Sequence, residues 1–281
     1  MNMVRSKSFI FLFIAVSCSL FLSCEKDPST EKASADPPIS QRKVLVELFT
    51  GHKDGHGAIA AEKIRLVDNN HAGKVIWTTV HSGFFAEPAV APYTTDLHTD
   101  EGDVYHDFFN VTFNPVVTVS RTGYPGTVLK PYSGSWDNQV DSLMNIPPDV
   151  SITIANHYNS STRVLSTSVT CRFLKGLSAT YKLAVLLTED SVVAAQRDYS
   201  QTPNDQPSYP HRHVLRDGIT TAWGELLPAS EKGDSIVRNY VYNLPVNFNG
   251  VVPRAYQCSV VAYVYNTITY EVLQAEEKKI E

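Results

Sequence analysis

Three side chains able to ligate a metal fall within one short run, Thr50-Gly51-His52-Lys53-Asp54-Gly55-His56-Gly57. Imidazole nitrogens and a carboxylate are the donors that zinc and copper take. His52, Asp54 and His56 are therefore a candidate metal site, and a metal-dependent enzyme is the alternative reading of the chain. His81 joins them if its strand neighbours the first. A second pair, His211 and His213, has the spacing that puts two rings on one face of a strand. Other catalytic patterns are absent: no Gly-x-Ser-x-Gly elbow precedes a helix, and no phosphate loop with a Gly-Lys-Ser/Thr ending occurs. No organic cofactor is expected.

The elements around the run say how it is held. Residues 44–49 are an apolar strand, and residues 58–67 have helix composition with apolar Ile59, Ala60, Ile64 and Val67. A buried strand at 75–80, a helical region at 100–109 and a strand entered through Pro115 at 112–120 follow. A turn at Gly123-Tyr124-Pro125-Gly126, a short strand at 127–130 and an amphipathic helix at 136–144 complete the series. This order resembles a thioredoxin-like fold. In that fold the first strand–loop–helix corner carries Cys-x-x-Cys at a helix N-terminus, where the dipole lowers a thiol's pKa. Asp54 and Gly57 occupy the two thiol positions here. A carboxylate caps a helix but does not attack a disulfide, so no thiol–disulfide oxidoreductase activity is expected. The resemblance also implies a cis peptide bond at Asn114–Pro115. Facing the loop, these two residues would border a groove in which an extended peptide docks.

Beyond Pro147-Pro148 the pattern changes to repeated strands, at 150–157, 164–173, 181–187, 237–244, 256–265 and 271–278. Repeated β runs without a long helical pattern predict an immunoglobulin-like β-sandwich over residues 150–281, following a thioredoxin-like domain over 43–146. Residues 190–223, with Pro203, Pro207 and Pro210, read as a long loop insert. Cys171 and Cys258 lie in strand-like runs. In an exported protein they are a candidate disulfide, with two separate buried thiols as the other reading.

The N-terminal residues read as an address. A short basic region at Arg5 and Lys7 precedes an apolar run ending at Ser23-Cys24. Residues 1–23 are expected to be a lipoprotein signal peptide, Cys24 the lipid-bearing residue, with Cys18 its weaker rival, and residues 24–42 a flexible tether. With 43% apolar residues and a net charge of −5 the body is globular, and no basic stripe exists to track nucleic acid.

The chain resembles the outer-membrane-protein-28 family of Bacteroidetes lipoproteins. The match rests on Glu47-Leu48-Phe49-Thr50-Gly51-His52, Ala60-Ala61, His81-Ser82-Gly83-Phe84-Phe85 and His213-Val214-Leu215-Arg216. It extends to Trp223-Gly224-Glu225 and to the runs Val260-Val261-Ala262-Tyr263-Val264-Tyr265 and Glu271-Val272-Leu273-Gln274-Ala275. The resemblance implies an outer-membrane address, a thioredoxin-like N-terminal half and a β-rich C-terminal half. Asp141-Ser142-Leu143, Asp190-Ser191-Val192 and Asp234-Ser235-Ile236 also resemble the O-glycosylation sequons of Bacteroidetes exported proteins, marking Ser142, Ser191 and Ser235. The resulting reading is a lipid-anchored envelope protein that binds an unidentified protein or peptide, touches the membrane through its N-terminal lipid and does not bind nucleic acid.

Overall fold

A computed structural model describes residues 41–281 apart from Ala179. The signal, Cys18, Cys24 and nearly all of the tether lie outside the described residues. The described residues form one compact unit.

Strand β1 (Val44–Thr50) is buried along its whole length, as a run apolar on both faces requires. It pairs in parallel with β2 (Val75–His81) and antiparallel with β3 (Val116–Val119), which pairs with β4 (Lys130–Pro131). Helix α1 (Gly57–Asn70) connects β1 to β2, α2 (Asp100–Phe108) precedes β3, and α3 (Asp137–Met144) follows β4. Thr99 caps α2 by accepting the Gly102 N–H at 3.0 Å. Val44, Val46 and Leu48 pack against Ile64, Val67 and Val140 on one face of the sheet. Leu45 and Phe49 pack on the other, against Tyr105 and Phe109.

The strands after Pro148 follow the expected pattern closely: β5 (Val150–Asn159), β6 (Val164–Phe173), β7 (Tyr181–Glu189), β12 (Ser235–Asn243), β13 (Cys258–Asn266) and β14 (Val272–Lys279). β12, β6 and β5 form a three-stranded sheet. Its inner side chains Val150, Ile152, Leu165 and Val169 share a core with Leu183, Val185, Val260 and Val264 of β7 and β13.

Two expectations need correction. Residues 190–223 are not a loop. They contain a hairpin of β8 (Val192–Arg197) and β9 (Asp205–His211), then β10 (Val214–Gly218), with β11 (Glu225–Leu226) just beyond. Pro207 and Pro210 disguise β9, which escapes their cost because it pairs only with β8. The two stretches expected as separate domains are also joined in one nine-stranded sheet, ordered β14-β13-β7-β10-β2-β1-β3-β4 with β11 beside β7. β10 is the join. Val214 pairs with Thr79 of β2 on one side and Glu189 of β7 on the other.

Cys171 and Cys258 are free thiols. Cys171 stands on β6 and Cys258 on β13, each surrounded by apolar core, and burial pushes both thiols up to about 12. The disulfide reading is withdrawn in favour of two inert buried thiols.

Candidate functional site

The loop between β1 and α1 is tightly built. Asp54 accepts hydrogen bonds from the Thr50 hydroxyl and the His56 N–H, both at 3.0 Å, so its carboxylate closes the turn that leads into α1. Burial raises its pKa, and these bonds partly oppose the rise. Gly51 is required by its neighbours: a Cβ there would lie 2.2 Å from the Phe85 carbonyl carbon. Behind the loop, a cavity of about 10 Å³ between Thr50, Gly57 and His211 has the room of a single water.

The β8–β9 hairpin covers this loop. Arg197 N–H donates to the His52 carbonyl at 2.8 Å, Tyr199 N–H to the Gly55 carbonyl at 2.9 Å, and Gln196 Nε2 to the Asp54 carbonyl at 2.8 Å. The Tyr199 ring lies so close to Gly55 that a Cβ would meet it at 2.3 Å. Tyr93 donates to Asp205 and lies under the Arg197 guanidinium, which ties the base of the hairpin down.

The three proposed ligands do not converge. His52 is buried and stacks on Tyr93 with ring centroids 5.6 Å apart. Asp54 turns to Thr50. His56 is exposed between Tyr132 and Tyr199. Among the described residues no three His, Cys, Asp or Glu side chains are placed to hold one ion. The metal reading of His52, Asp54 and His56 is corrected accordingly: residues two apart in this turn-and-helix entry point to different sides. His211 and His213 separate too. His211 ends β9, whereas His213 has a left-handed φ of 47° ahead of β10 and packs on Trp77.

The histidines that do gather come from separate motifs. His52, His81 and His211 are 1%, 2% and 3% exposed. The His81 and His211 rings meet edge to face at 5.0 Å, and neither ring nitrogen of His52 or His81 has a hydrogen-bond partner. Burial pushes His52 down to about 4 and His211 down to about 3, and holds His81 well below the usual imidazole range. All three are neutral imidazoles at pH 7. Sequence spacing pointed to His81 only through β2 lying beside β1. His211 was legible only as half of a pair with His213.

Asn114–Pro115 is cis. Phe49 pairs with Val116, so Pro115, which leads into β3, lies beside the end of β1 at the mouth of the loop. Pro115 is buried and Asn114 half-exposed, with its Oδ1 unpaired. Exposed apolar side chains flank this end of the sheet: Phe84 at 71%, Phe113 at 52% and Tyr199 at 54%. Lys53 Nζ lies 4.8 Å from the Phe84 ring centroid. The sequon serines are dispersed: Ser142 on α3 and Ser235 on β12 are exposed, whereas half-buried Ser191 donates to Asp190.

Among known protein families, "Outer membrane protein Omp28" matches residues 102–281. No curated protein matches the chain. Among solved structures, HBP35 of Porphyromonas gingivalis is similar with a TM-score of 0.65 at 15% identity, covering 85% of this chain and 76% of that one. A protein of Agrobacterium tumefaciens is similar with a TM-score of 0.50 at 11% identity, over 86% of this chain and 96% of that one. A domain of the outer membrane lipoprotein Omp28 from Porphyromonas gingivalis aligns at 24% identity over 48% of this chain and 89% of that one, with a TM-score of 0.34. No helix among the described residues is long and apolar enough to cross a membrane.

Proposed function

The chain belongs to the Omp28 family of outer membrane proteins, and from that premise we propose that it is a lipid-anchored binding module. Cys24 carries the lipid, the residues that follow it act as the tether up to Arg42, which is bound to the fold, and the thioredoxin-like first half works without thiol chemistry. The β2-β1-β3-β4 order, with β1 and β2 parallel and β3 and β4 antiparallel, supports the thioredoxin-like reading. The strands after Pro148 support the sandwich reading, with one of its layers shared with the first half.

The observation that carries the binding role is the exposed apolar rim at the C-terminal end of β1. Phe84, Phe113 and Tyr199 border a mouth formed by the 50–57 loop and Asn114–Pro115. Large apolar side chains left in water around a rigid loop favour protein contact. The chain is already held by the fold at Arg42, which is buried and donates to the Val272 carbonyl at the other end of β1, so the rim faces away from that point of entry. An extended peptide would pair with the backbone beside Asn114 and set its side chains against this rim.

A photo-crosslinking residue placed at Phe84 or Phe113, in cells carrying the native membrane, tests the reading. Discrete adducts are expected from both positions and not from Ile268, which is 70% exposed elsewhere. Equal labelling from all three positions would remove the rim as the binding surface. Insulin-reduction assays should remain at background, because Asp54 and Gly57 supply no thiolate.

A further inference from the structure

A second site lies at the opposite end of the sheet. Four buried polar atoms without hydrogen-bond partners belong to residues that wall one cavity: Asp68 Oδ1, Asp190 Oδ1, His213 Nδ1 and Ser259 Oγ. The cavity has a volume of about 360 Å³, within the range of small-molecule sites. Its walls come from distant parts of the chain: Lys43 ahead of β1, Val75 opening β2, Asp68 on α1, Ser259 on β13 and residues 276–279 on β14.

The valences left open are mostly acceptors. Asp190 Oδ2 receives the Ser191 hydroxyl and Arg212 Nη1, both at 3.1 Å, while Oδ1 receives nothing. His213 Nδ1 stands 3.7 Å from Glu277 Oε1, beyond a hydrogen bond, with its ring held 4.3 Å from Trp77. Ser259 is 1% exposed. Two of the lysines lining the cavity are engaged elsewhere, Lys43 Nζ bound to Glu276 and Lys279 Nζ donating to the Gln257 carbonyl at 3.0 Å, and the third, Lys278, is exposed. Buried polar groups in native proteins are paired, so four unpaired ones on one cavity call for an occupant that donates.

A metal ion needs its ligands within about 2.0–2.6 Å, and the described residues offer no such convergence. An ammonium group works at about 2.8–3.0 Å and carries several N–H donors, so it suits a wider ring of acceptors. We propose that this cavity binds a small organic amine as its ammonium ion, which donates to Asp68, Asp190 and His213, with Ser259 completing the ring. The site is separate from the rim at Phe84 and Phe113, and either can fail without the other.

Calorimetric titration of the full chain with n-butylammonium, at fixed pH and ionic strength, tests the assignment. Butyltrimethylammonium carries the same charge without an N–H, and 1-butanol carries the chain without the charge. Saturable butylammonium binding is expected, weaker by about tenfold or more for the quaternary analogue and in Asp190→Asn. Asp68→Asn, on a separate helix, and Ser259→Ala should each weaken it as well, with circular dichroism confirming that every variant is folded. Equal binding of both ammonium ions, or no saturable binding, would overturn the proposal by leaving only bulk charge attraction or a water-filled cavity. Displacement of butylammonium by calcium or zinc, with either metal binding more tightly than the amine, would overturn it in favour of a metal site.

Discussion

Two buried polar clusters lie along β1, and they are built in opposite ways. At Glu47 the carboxylate receives Thr118 Oγ1 at 2.7 Å, Arg121 Nε at 2.9 Å and Arg121 Nη2 at 2.5 Å. Arg121 also donates to the Tyr263 hydroxyl at 2.9 Å and lies within cation–π distance of Tyr105, Phe109 and Tyr263. Burial opposes the charge on Arg121, but the Glu47 carboxylate outweighs it and holds the guanidinium pKa well above its ordinary value. A few residues further along, His52 joins His81 and His211 in a cluster just as deeply buried, in which the ring nitrogens of His52 and His81 have no hydrogen-bond partner and His211 Nε2 reaches only the Ala195 carbonyl at 3.4 Å. The first cluster spends nearly all its hydrogen-bonding capacity inside the protein and cross-links β1 to β13. The second keeps capacity in reserve beside the loop. Burial alone therefore does not separate a structural polar group from one held ready; the count of unsatisfied atoms does.

The sharpest way to break this contrast is Glu47→Ala. Removing one partner of a buried ion pair strands the other, so the variant should lose about 3–5 kcal/mol in denaturant unfolding. A loss below about 1 kcal/mol would show that the network does not hold the sheet together.

Acid tests the other side. His52 and His211 have folded values of about 4 and 3, below the unfolded 6.5. The unfolded chain therefore takes up their protons first. Their contribution to stability is fully present above pH 6.5 and declines as pH falls toward those folded values. Each should account for about 2 kcal/mol of loss between pH 6.5 and 5. His52→Gln and His211→Gln should each flatten the pH profile relative to the wild type, and an unchanged slope would place those rings in water.

Gly55→Ala probes the cover over the loop. Its new methyl group meets the Tyr199 ring, so stability should fall by about 1 kcal/mol, with faster amide exchange across Val192–Arg197 and Asp205–His211. Unchanged exchange there would mean the hairpin does not rest on the loop. The smallest effect belongs to the cysteines. Alkylation without reductant should leave Cys171 and Cys258 unmodified in the folded chain and modify both after unfolding, read by peptide mass spectrometry. Protection that persists in denaturant would restore the disulfide.

Much of the framework was legible because periodicity and turn residues are local signals. The strands around Val150, Val164 and Tyr181, and the helix after the 50–57 loop, follow directly from residue pattern. β9 was hidden by Pro207 and Pro210, and β10 by its shortness; a five-residue strand earns its place only by lying between β2 and β7. The site was legible at Asp54 only as a carboxylate in the turn before a helix; it bonds to Thr50 and the His56 N–H and does not cap α1. The gathering of His52, His81 and His211 was not, because it depends on a hairpin more than a hundred residues away folding back over the loop.

The join at β10 also bears on how the protein is made. β1 and β2 are laid down early in synthesis, yet β2's outer neighbour is residues 214–218, and Arg42 and Lys43 bond to Val272 and Gln274. The first strands therefore have no finished edge until the last ones have emerged from the ribosome. The outer edge of β2 and the start of β1 are thus completed only by residues more than a hundred positions later in the chain, so this sheet closes only when distant stretches of the sequence are present together.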